Sequence, residues 1–202
     1  METLHMRNAL ILLLTSFVGF GFANAQTSLW VVDKAHSTVN FSVSHMVVAE
    51  VTGRFKDFDV KVTQTGDSFS DSYVEAVIKT ASIATDNERR DNHLRSDDFF
   101  NAEKYPEITF KSMSVKKTGK NTYNITGNLT IRDVTKPVVL NALYRGEIKD
   151  PRGNVKRGVK ATTTINRFDF GTKWNAAMES GSLIAGEDVE ITLLMEFAKS
   201  DG

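Results

Sequence analysis

The sequence predicts an all-β protein: an eight-stranded antiparallel barrel with a short helical insertion near 86–100. Three observations predict it. Apolar and polar residues alternate with a period of two along most of the chain, as in strands with one face on a core and one in water. Tight-turn sequences separate the alternating runs. Several runs exceed ten residues, long for a sandwich, and long strands on short turns suit a closed up-and-down barrel without free edges.

The runs fall at 29–33 with 37–45, 50–64, 70–80, 106–117, 121–132, 137–149, 155–167 and 186–198. In the first, Val39, Phe41 and Val43 share a face; in the third, Val74, Ala76 and Ile78 do. Tyr123, Ile125, Leu129 and Ile131 alternate with threonines and asparagines. Val138, Leu140, Ala142, Tyr144 and Ile148 form one face of the next run, and Val189, Ile191, Leu193, Met195 and Phe197 one face of the last. Thr118–Asn121, Asp150–Asn154 and Gln64–Asp67 read as turns. Between the third and fourth runs, Thr85-Asp86-Asn87-Glu88 fits a capping box opening a short helix through Leu94. Phe99 and Phe100 follow in a second turn. This insertion reads either as a lid on the barrel mouth or as a connection that packs its two rings on the barrel end.

The 202 residues suit one domain, and 41% hydrophobic content with 3 prolines excludes wholesale disorder. Lys+Arg (25) balance Asp+Glu (25), which argues against a general nucleic-acid binder or a polybasic membrane attachment. The absence of cysteine removes disulfides, thiolate metal sites and cysteine nucleophiles. Residues 1–25 read as a cleaved export signal: Arg7, an uncharged apolar run from Ala9 to Phe22, then Ala23-Asn24-Ala25. The run falls short of the ~20 residues that span a bilayer, so no permanent anchor is expected. The folded domain is then 26–202, delivered to a periplasm or secreted.

A barrel of eight strands is either filled by side chains or holds one elongated guest. Small residues on the inward faces (Ala76, Gly127, Ala142, Gly146, Ala161) leave room or let large neighbours interdigitate. If hollow, the interior is lined by residues such as Phe41, Phe99, Phe100, Phe110, Ile125, Leu140 and Trp174, and suits an extended apolar chain. Each buried methylene contributes about 0.8 kcal/mol, so each five-carbon isoprene unit contributes roughly 3–4 kcal/mol before ordering costs. Polar groups at the mouth would choose the head group. Candidates are Arg89, Arg90, Asp91 and His93 on the insertion, with His36, His45 and Arg167. Arginine suits a diphosphate or carboxylate because its planar fork binds two oxygens. Arg167 could instead pair with Asp169. The histidines match no short metal motif, and no metal or cofactor is expected. No nucleophile elbow, phosphate loop or HExxH motif is present, and no catalytic residue is assigned.

Specific elements resemble the YceI-like family of bacterial polyisoprenoid-binding proteins. Trp30-Val31-Val32-Asp33-Lys34-Ala35-His36-Ser37 is similar to its W-x-x-D-x-x-H-S opening. Phe41-Ser42-Val43-Ser44-His45 and Gly53-Arg54-Phe55-Lys56-Asp57-Phe58 follow in order. Arg90-Asp91-Asn92-His93-Leu94, Ser96-Asp97-Asp98-Phe99-Phe100 and Tyr105-Pro106 to Ser112 continue the pattern. Gly127–Ile131, Val134–Val138 and Arg167–Gly171 complete it. The resemblance implies a lipocalin-like barrel, a periplasmic or secreted location, an isoprenoid or fatty-acyl ligand, and a homodimer. The expected function is a non-catalytic lipid carrier. The alternatives are a packed-barrel interaction or stress-response module without ligand, and a lipid-modifying enzyme.

Overall fold

The computed structural model describes residues 27–181 and 183–200; the export signal expected over 1–25 lies outside them. Eleven strands form one antiparallel sheet: β1 Ser28–Val32, β2 Thr38–His45, β3 Ala49–Phe55, β4 Phe58–Gln64, β5 Ser72–Lys79, β6 Ile83–Ala84, β7 Glu107–Lys117, β8 Thr122–Ile131, β9 Val134–Lys149, β10 Val155–Asn166 and β11 Ala185–Ser200. One helix, α1 (Glu88–Arg95), joins β6 to β7. The ladder runs β1-β4-β5-β7-β8-β9-β10-β11 and closes where β11 returns to β1, with Trp30 opposite both Val62 and Lys199. This is the expected closed eight-stranded barrel.

Eleven strands make eight staves because the first three staves are each broken. β1 and β2 share one stave on either side of a 3-10 turn at Lys34–His36. Asp33 opens that turn by accepting a hydrogen bond from the Ala35 N–H at 3.1 Å. β3 and β4 part at Lys56-Asp57, and β5 and β6 part at a second 3-10 turn, Thr80–Ser82. The breaks lie side by side: Lys56 N–H donates to Ser82 O (3.1 Å) and Lys79 N–H to Asp57 O (2.9 Å). Lys34 adds contacts to Asp57 and Asp59 at 3.5 and 3.1 Å. Together they form a seam across three neighbouring staves.

The inward faces follow the alternation, with one exception. The expected faces of β2, β5 and β11 line the barrel interior, and Tyr123, Ile125, Leu129 and Ile131 of β8 are buried. Ile148, expected inside, is exposed. In the β9–β10 ladder Gly146 faces Gly158 and Tyr144 faces Val159, so Arg145 is an extra residue. A bulge of this kind reverses the in–out parity beyond it, and Gly146 takes the φ of +106° the turn of the chain requires.

The small residues divide. Ala76 and Ala161 face the interior space. Gly127 does not create volume: the ring of Phe110 occupies the place where a side chain would stand. Gly146 has open space around it but sits at the bulge, away from the interior lining.

One end of the barrel is sealed. Trp30, 2% exposed, lies beneath the guanidinium of Arg157, 3.6 Å from the ring centre. Arg157 also binds Glu147 at 2.8 Å and hydrogen-bonds Gln64. Phe69, on a 3-10 turn capped reciprocally by Ser68 and Asp71, packs on Tyr123 and Tyr144 with ring centres 4.9 and 5.2 Å away.

Candidate functional site

The barrel is hollow. A cavity of ≈ 330 Å³ runs through its interior, within the ~300–1,000 Å³ range of small-molecule sites. All seven apolar residues expected to line it do so: Phe41, Phe99, Phe100, Phe110, Ile125, Leu140 and Trp174. Alternation of β3 also brings in Val51 and Phe55, which the sequence reading had not singled out.

The cavity's ionisable lining gathers at the end opposite Trp30. It consists of His45 at the end of β2, Arg90 and His93 on α1, and Arg167 after β10. Among the described residues no aspartate or glutamate lines the cavity. Arg167 is 6% exposed, and its donors are taken by backbone carbonyls: Gly186 at 2.8 Å, Trp174 at 2.7 Å and Ala185 at 3.1 Å. Burial pushes its pKa below the ordinary arginine value, and Glu187 opposes that at longer range. The pair with Asp169 does not form; Asp169 binds Lys136 at 3.1 Å. Arg167 therefore clamps the start of β11 to the loop after β10 while its charge has no carboxylate in contact.

Helix α1 starts differently from the expected capping box. Asn87 is the cap, its side chain accepting from the Arg90 N–H at 3.0 Å. Thr85 is engaged elsewhere: its N–H and hydroxyl donate to Asp91 at 2.8 and 2.6 Å, and it accepts from Arg90 Nε at 2.7 Å. Asp91 is thus a buried staple of the helix to β6, not a mouth residue. Arg89, one step around the helix, is exposed and off the cavity. His36 is also off it, in the seam outside the barrel, 3.2 Å from Asp33 and 3.9 Å from Glu196. Asp33, His36 and Glu196 could share a cation by geometry, but Lys156 sits between the two carboxylates at 2.7 and 3.2 Å. That ammonium holds Asp33 down to a pKa of about 2.

The residues after α1 form a cap over the mouth. Phe99 lies against Trp174, with centroids 5.6 Å apart, and His93 meets both edge-on at 5.1 and 5.9 Å. Phe100 meets Phe55 edge-on at 5.9 Å. The cap is fastened: Lys173 and Trp174 N–H groups donate to Asp98 O at 2.8 and 3.0 Å. Arg132 donates to the Asp97 and Phe99 carbonyls at 3.0 and 2.8 Å and to the Asp97 carboxylate at 2.9 Å. Lys173, Asn101 and Arg132 hold Asp97 down to about 2. His93 Nε2 lies 2.8 Å from Asp98. Arg132 was not singled out from the sequence. It stands in the β8–β9 turn, at φ +57°.

A closed barrel, sealed at one end and capped at the other over an apolar hollow, defines a small-ligand-binding barrel by its architecture. The chain belongs to the YceI-like family: the YceI-like domain matches residues 30–197. A UPF0312 protein of Ectopseudomonas mendocina is 39% identical over 193 residues, 95% of this chain and 97% of that one. A UPF0312 protein of Pseudomonas fluorescens is 43% identical over 149 residues, 70% of this chain and 75% of that one. The crystal structure of the Campylobacter jejuni YCEI protein is 34% identical, with TM-score 0.67, covering 84% of this chain and 97% of that one. A polyisoprenoid binding domain from Saccharophagus degradans shares the fold at 17% identity and TM-score 0.62, covering 85% and 98%.

Proposed function

We propose that this protein is an exported carrier that holds one isoprenoid-type or fatty-acyl chain in its barrel and performs no chemistry on it. The observation that carries the reading is the polarity of the cavity: apolar walls along its length and four ionisable residues at one end. A guest with a long tail and a polar head matches that gradient, tail toward Trp30 and head beside Arg90, His45, His93 and Arg167. The fold shared with a polyisoprenoid binding domain supports the tail chemistry. The two guanidiniums favour an anionic or oxygen-rich head. The hollow counts against the packed-barrel alternative.

Organic extraction of the purified protein, followed by mass spectrometry, tests this. Recovery of a prenyl or acyl lipid in near-stoichiometric amount is expected. An empty protein that also fails to take up a dansylated fatty acid overturns the reading.

A further inference from the structure

The β2–β3 hairpin carries one wall of the cavity out into solvent. Val43 and His45 on β2 and Val51 on β3 line the cavity. Beyond them the turn presents Met46, Val47 and Val48, which are 42, 72 and 87% exposed. The other exposed large apolar residues, such as Tyr73, Met113 and Leu194, stand apart from one another in the sequence. Here three are consecutive, and the hairpin's nearest acidic residue, Glu50, lies below them on β3.

The turn's geometry does not call for these residues. Met46 and Val47 have φ of +50° and +65°, and Val48 N–H donates to His45 O at 3.2 Å. They are the central residues of a left-handed turn, where asparagine and glycine are favoured and a β-branched residue is an outlier. The strained turn is pinned by a 2.8 Å hydrogen bond from Met46 N–H to the carbonyl of Ile184. Ile184 itself lines the cavity. The fold thus holds three uncharged, water-exposed apolar side chains at the rim of an apolar cavity, two of them, Met46 and Val47, in a backbone conformation that opposes them. Water gives nothing in return for that arrangement. An acyl-chain environment does, because each side chain entering it leaves water.

We infer that the tip Met46–Val48 seats the cavity mouth on a lipid bilayer, placing the cavity wall next to the acyl region. This rests on the lipid-carrying reading and adds where the guest enters. A tip made of interfacial anchors lets a chain move between bilayer and barrel without crossing water.

The test compares the protein with a variant carrying Met46→Asn, Val47→Gly and Val48→Ser, none of which lines the cavity. The Asn-Gly pair suits the turn, so the variant should melt at the same temperature or higher. Co-flotation with phosphatidylethanolamine–phosphatidylglycerol vesicles should fall by at least about tenfold. The rate at which dansylundecanoic acid passes from those vesicles to the protein should fall with it. Binding of the same probe added from solution should be unchanged. Equal flotation of both proteins overturns the inference. So does a protein that fails to float yet self-associates through an intact tip, which would make the patch a contact between copies. Failure of either protein to bind the probe from solution would instead strike the carrier reading, while flotation reads the tip independently.

Discussion

The two ends of the barrel use the same residue types to opposite effect. At the sealed end, Arg157 lies on Trp30 and is matched by Glu147 at 2.8 Å. At the capped end, Arg167 lies on Phe168, 4.1 Å from its centre, and meets three backbone carbonyls and the Thr172 hydroxyl but no carboxylate. A half-buried guanidinium matched by its carboxylate is a finished structural unit. One satisfied only by dipoles keeps an unneutralised charge in a low-dielectric site, and an incoming anion gains from it. The floor's guanidinium is matched by a carboxylate, and the mouth's is not.

The largest expected effect concerns the floor. Trp30→Ala should destabilise the protein by about 3–5 kcal/mol, read as a lower urea midpoint, because it opens a cavity under Arg157. If stability were unchanged, the sealed end would not be structural. The next concerns the space between the ends. Ala161→Phe should fill the hollow and weaken binding of dansylundecanoic acid by about 100-fold, or ~2.7 kcal/mol. Stability should change by less than the ~1–3 kcal/mol of true overpacking, since the ring enters a void.

A smaller effect separates the arginines. Arg90→Gln should reduce affinity for the carboxylate probe about tenfold, ~1.4 kcal/mol, and leave its neutral amide analogue nearly unaffected. Arg157→Gln should lower the urea midpoint without changing that preference. The smallest effect is a pH dependence of the cap. Asp97 is held at about 2 in the fold, below the ~3.9 of an unfolded aspartate. Its contribution is therefore present above about pH 4 and lost as pH falls toward 2. Hydrogen exchange over 96–101 should accelerate across that window, and Asp97→Asn should flatten the dependence.

Much of this was legible in the sequence because period-two alternation survives wherever one face is buried. Val189 to Phe197 is a clear case: five alternate residues all reach the cavity. The failures have local causes. Ile148 lies past a bulge whose position depends on Gly158 in the partner strand. Thr85 carries the composition of a cap, but Asp91 and Arg90 recruit it into a buried network and Asn87 caps instead. At the mouth, two of the four candidates on α1, Arg90 and His93, line the cavity, and Arg89 and Asp91 do not. Arg89 and Arg90 are adjacent, about 100° apart on a helix, and only packing decides which one turns inward. His36 looked like a strand-end residue; the 3-10 turn opened by Asp33 puts it outside.

The seam has a mechanical consequence. Above it, β2, β3 and β6 form a panel whose ladder joins the barrel along one side, through β2 and β11. The far edge, β6, is paired only to β3 among the described residues, and α1 covers it. The fastening there is a handful of side chains: Asp91 and Arg90 on Thr85, and Arg95 on the carbonyls of Ala81 and Ile83 at 2.8 and 2.9 Å. The panel is therefore tied to the barrel by a strand ladder along one edge, at β11, and along the other by side chains of one short helix.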